Sequence, residues 1–91
     1  MMNQPPVEKQ KKDWRKEACI VMYVTFKNNP RPSTFYSRDM YQQKFAGNIQ
    51  YWLEHFDRLI NFKWEGKVKE YVIYVLENGQ RSGDPIVKMT F

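Results

Sequence analysis

Ninety-one residues are too few for two domains with separate cores, so the chain builds one core or none. Its single cysteine, Cys19, excludes an intramolecular disulfide and a thiolate zinc cage. No apolar run approaches the roughly 20 residues of a membrane helix, which leaves a soluble cytoplasmic protein with no membrane partner as the expectation. A formal charge of +5 and a pI near 9.4 favour acidic partners without naming one, because both signs are interspersed. The mean hydropathy of −0.78 is that of a polar chain, yet three Trp, six Tyr, six Phe and five Met, gathered in solid apolar runs, are enough for a dense small core.

Residues 1–17 contain Pro5 and Pro6 and then a mixed-charge run. Val7 and Trp14 are their only large apolar side chains after the methionines. They read as a flexible basic arm in front of a single domain at 18–91. Lys11, Lys12 and Arg15 of the arm are candidate phosphate contacts, partly offset by Glu8, Asp13 and Glu17.

Residues 18–27 form the clearest strand, ended by Asn28-Asn29-Pro30. Asn29 and Arg31 each precede a proline and are biased to extended backbone, so residues 28–33 are expected to form a stiff loop presenting Arg31 as a candidate partner contact. Thr34-Phe35-Tyr36 returns as the second arm of a hairpin. With Ser37 or Asp39 as N-cap, Tyr41, Phe45, Ile49, Trp52, Leu53, Phe56, Leu59 and Ile60 recur at three- and four-residue steps and predict a long amphipathic helix ending between Asn61 and Gly66, with Trp52 and Phe56 in the core. Residues 68–76 are the second strong strand, Asn78-Gly79 the turn after it and 86–91 the last strand, with Pro85 placing that strand's start at an edge or bulge.

The order β-β-α-β-β predicts an α+β fold, a four-stranded antiparallel sheet with one long helix across one face. Both strong strands are apolar on both sides, so a single helix leaves one face uncovered. Val21, Tyr23, Ile73 and Val75 are the expected residues of that second face, covered by a second copy in a symmetric homodimer or else by the arm around Trp14.

Motifs for chemistry are missing. The four glycines stand in no phosphate-cradling pattern, and His55, the one histidine, has only Cys19, inside an apolar strand, to pair with. Glu54, His55 and Asp57 fan around the helix rather than converge on a metal. No catalytic, cofactor or metal residues are therefore assigned. On the helix's solvent side, Lys44, Tyr51, His55, Arg58 and Phe62 fall along one cationic, aromatic flank, a candidate partner or nucleic-acid contact. A four-stranded sheet bearing aromatics is also a property of RNA-recognition domains, but those have two helices and a Gly-aromatic strand motif; neither is present, and no family is recognised.

The expectation is a non-enzymatic interaction or regulatory module, homo-oligomeric, of a size that suits a phage or mobile-element accessory protein. The alternative is a nucleic-acid-binding module using the basic arm and the helix flank.

Overall fold

The computed structural model describes residues 14–91. A helical turn, α1 (Trp14–Glu17), leads into β1 (Ile20–Phe26) and β2 (Ser33–Tyr36). A 3₁₀ turn (Gln43–Phe45) precedes the main helix α2 (Ile49–Arg58), which runs into a π turn (Leu59–Lys63). Then come β3 (Val68–Glu77), β4 (Gln80–Arg81) and β5 (Val87–Thr90). The fold is α+β in the order β-β-α-β-β. Every strand pairing is antiparallel, in the order β2-β1-β3, with β3 shared on its far side by β4 and β5.

The fifth strand arises because β3 is ten residues long and outlasts any one partner. Asn78 (φ 54°) and Gly79 (φ 82°) both adopt the left-handed backbone of a two-residue hairpin turn, which sets Glu77 opposite Gln80 and Leu76 opposite Arg81. The chain then swings away through Pro85, which has no N–H to offer a ladder, and returns with Val87 opposite Ile73.

The main helix is shorter than its apolar spacing predicts. Ser37 and Asp39 do not cap it; both are buried and are engaged elsewhere. Asn48 is the cap, its side chain accepting a hydrogen bond from the Tyr51 N–H at 3.0 Å. Gly47 (φ 75°) interrupts any continuation upstream, so Tyr41 is 63% exposed and lies outside the core. The 3₁₀ turn is nevertheless tied to the helix, because its Phe45 carbonyl accepts the Trp52 indole N–H at 3.2 Å.

Trp52, Phe56 and Ile60, four residues apart, bury one stripe of the helix against Ile20, Met22, Val24, Val68, Tyr71 and Ile73. Each such side chain removed from water contributes about 1.5–3 kcal/mol. In the π turn the Trp64 N–H reaches back five residues to the Leu59 carbonyl at 2.8 Å. That extra residue keeps Ile60 inside, leaves Phe62 76% exposed, and lets Trp64 pack on Phe26 and Phe35 with ring centroids 5.2 and 4.9 Å apart.

The register corrects the expected composition of the second face. Residues directly opposite each other in an antiparallel pair share a face. Ile73 stands opposite Met22 and Val75 opposite Ile20, which puts both against the helix, whereas Val21 stands opposite Tyr74 and Tyr23 opposite Val72. The expected patch of Val21, Tyr23, Ile73 and Val75 is thus split between the two sides of the sheet. Its physical cause is that strands apolar on both sides carry no alternation to fix which parity faces the helix.

Candidate functional site

The sheet face away from α2 is assembled from alternate residues of five strands. Tyr36 and Tyr74 flank Val21; Thr34 and Val72 flank Tyr23; Arg81 lies opposite Leu76, Lys88 opposite Val72, and Thr90 opposite Glu70. Buried Ala18, Val21 and Leu76 form its floor at one end, with Tyr23, Tyr36 and Tyr74 packed around them. α1 closes that end against the β3–β4 turn: a Cβ on Gly79 would lie 3.2 Å from Lys16 Cγ, so only glycine admits this contact without displacement.

Two adjoining hollows open onto this face, of about 620 and 240 Å³, and Tyr23, Pro32, Val72 and Tyr74 line both. Arg81 borders the larger and Lys88 the smaller. The Arg81 guanidinium lies over the Tyr74 ring at 4.9 Å and over the Tyr23 ring at 5.7 Å, and those two rings meet edge to face at 6.0 Å. Among the described residues no carboxylate lies within ion-pair distance of Arg81 or Lys88. Glu70, the carboxylate of this face, borders the smaller hollow, at the Lys88 end.

The polar cluster at the start of β1, beside that floor, is structural. The Asp39 carboxylate accepts from the Ser37 hydroxyl, from the Cys19 N–H at 3.1 Å and from the Gly47 N–H at 2.5 Å; Ser37 Oγ also accepts from the Cys19 N–H at 2.9 Å. These bonds clamp the start of β1, the end of β2 and the approach to α2. Burial pushes the Asp39 carboxyl up, but the donors from Gly47, Ser37 and Cys19 outweigh it and hold the group below its ordinary value. Burial, with Asp39 alongside, pushes the Cys19 thiol up to about 11, far from a reactive thiolate. The described residues hold no group of three or more His, Cys, Asp or Glu able to bind a metal.

The helix flank is partly brought together and partly spent on packing. Lys44 sits on the 3₁₀ turn, not on the helix, with its Nζ 5.6 Å from the Phe45 ring. Phe45 stacks flat on Tyr51 at 3.7 Å, occupying one side of that ring. His55 packs against Trp52 and Phe56, and burial, then the charge of Arg58, lowers its pKa. Arg58 and Phe62 remain exposed. Arg31 is exposed, with its backbone N–H bonded to Asn29 Oδ1 at 3.0 Å in the loop. Arg15 is exposed on α1; Lys11 and Lys12 lie outside the described residues.

Sequence reasoning missed Tyr74, Arg81 and Lys88. A signal existed for Arg81, since a two-residue Asn-Gly turn obliges Leu76 to face it. None existed for Lys88, whose partner depends on where the chain rejoins β3.

No protein-family model matches the chain, and no curated protein or solved structure matches it. No helix among the described residues is long and apolar enough to cross a membrane.

Proposed function

We propose that this protein is a non-enzymatic binding module of the cytoplasm that holds nucleic acid on the open face of its sheet. The observation that carries the reading is the state of Arg81: a guanidinium held over two tyrosine rings, exposed, and without a carboxylate partner among the described residues. Cation–π attraction to the two rings restrains the group, and its exposed N–H groups suit phosphate oxygens. Lys88 adds a second cation on the same face, and the chain's charge of +5 supplies the long-range attraction. The non-enzymatic part of the reading is supported by the fate of the reactive groups: the thiol of Cys19 is held protonated, Asp39 is consumed by backbone donors, and His55 is packed among aromatics.

With Ile73 and Val75 on the helix side, the open face is richer in tyrosine, threonine and charge than in aliphatic side chains. That composition suits a charged ligand better than a second copy of the same face.

The test is fluorescence anisotropy with labelled oligonucleotides across a salt series. Log affinity should fall linearly with log salt, and Arg81→Ala and Lys88→Ala should each flatten the slope by about 0.7–0.9, one phosphate contact apiece. No binding at about 50 mM salt and micromolar protein would end this reading. A doubled mass by light scattering in the same buffer would then assign the face to a homodimer.

A further inference from the structure

Granted that the open face takes nucleic acid, we infer that the acid is single-stranded and that an unpaired base stacks on the exposed guanidinium of Arg81, which caps the Tyr74 and Tyr23 rings. Arg81 already covers the Tyr74 ring at 4.9 Å, so a base reaching this end of the face meets the cation first and the tyrosine beneath it. Guanidinium planes stack bases as aromatic rings do, and one drawn to two tyrosine rings by cation–π attraction is restrained before the ligand arrives.

A duplex cannot use this arrangement. Its ring faces are occupied by its own stacking, and it presents phosphates and groove edges to a protein surface. The tyrosines here are half-buried and line a hollow walled by Pro32 on the β1–β2 loop and by Gln80 on the β3–β4 hairpin. A flat group splayed from a single strand lies against such a shallow hollow, whereas a stacked duplex has no free ring face to place there. The hollow, about 620 Å³, is wide and shallow, and its mixed polar and apolar lining suits a base bearing a phosphate. An acidic peptide would satisfy the cations but would have no use for a stacking plane.

Arg81→Lys separates charge from plane. In anisotropy titrations at matched salt, wild-type protein should prefer an oligo-dT strand to a hairpin duplex of equal phosphate count. Arg81→Lys should weaken oligo-dT binding by about 5- to 150-fold, the range of one lost base stack, while leaving the salt slope and the duplex affinity unchanged. An abasic strand of the same length should bind wild type as weakly as oligo-dT binds the lysine variant. Arg81 is exposed, so the variant's circular dichroism spectrum and melting should match wild type. Equal affinity of Arg81→Lys for oligo-dT, equal affinity of wild type for the abasic strand, or poly-glutamate competing as well as oligo-dT would each overturn the stacking assignment. In the first two cases salt-dependent binding to any strand would leave the broader nucleic-acid reading standing; absence of binding to every strand would remove both.

Discussion

The two faces of this sheet are built from the same strands, residue by alternate residue, and they do different work. On the helix side Ile20, Met22, Val24 and Ile73 meet Trp52, Phe56 and Ile60 with almost no exposed surface. On the other side Tyr23, Val72 and Tyr74 line two shallow, adjoining hollows, bordered by exposed Arg81 and exposed Lys88. Adjacent residues therefore differ more in role than residues fifty positions apart: Met22 and Ile73 hold the fold together, while Tyr23 and Tyr74, one step along each strand, shape the surface offered to a ligand. In a chain this small, one face has to supply the stability so that the other is free to remain polar.

The sharpest way to break that comparison is to place the same charge on neighbouring residues of β3. Ile73→Glu puts a carboxylate into a site 2% exposed with no polar partner in the core cluster, and should cost more than about 4 kcal/mol, leaving no folded baseline in urea. Val72→Glu places it on the open face directly across from Lys88, and should stay folded with a loss of about 1 kcal/mol. A larger loss in Val72→Glu than in Ile73→Glu would mean that the strand's parity is reversed.

A smaller effect belongs to the clamp that fixes β1 relative to α2. Asp39→Ala strands the Gly47 N–H and deprives the Cys19 N–H and the Ser37 hydroxyl of a charged acceptor, a loss of about 3 kcal/mol at pH 7. Because the folded carboxyl titrates below its unfolded value of 3.8, the stability it contributes is complete above that value and disappears as pH falls through the lower folded one. Urea midpoints measured from pH 7 to pH 2 should drop for wild type below about pH 4 by more than for Asp39→Ala. A parallel decline in both proteins would assign the acid loss to other carboxylates.

Smaller again is the contact that seats α1 at the end of the open face. Gly79→Ala should cost about 1–3 kcal/mol, from a side chain forced into left-handed backbone and from its Cβ meeting Lys16 Cγ at 3.2 Å. Gly83→Ala carries similar backbone strain at φ 72° but meets nothing within 4 Å, so its thermal midpoint should fall less. Equal midpoints would show that the Lys16 contact contributes nothing.

Several elements were written in local sequence. The runs 18–27 and 68–76 read as strands because β-branched and aromatic residues cluster between turn signals, and Asn78-Gly79 read as a turn because few other pairs tolerate its backbone. Trp52, Phe56 and Ile60 read as a core stripe because their spacing closes on one side of a helix. Each of these depends on residues a few positions apart.

Only the tertiary structure decided the rest. Whether Ile73 or Tyr74 faces the helix depends on how β3 aligns with β1, across nearly fifty residues of chain, and strands apolar on both sides give no alternation from which to read it. Asp39 has the chemistry of a helix cap, but the backbone donors of Cys19 and Gly47 reach it first in the folded molecule and move the helix start to Ile49. Lys88 joins the open face because the chain rejoins β3 at Ile73 after Pro85, a choice made by packing. The candidate site lies in this second class: its residues come from five strands, and no short stretch of sequence holds enough of them to be recognised.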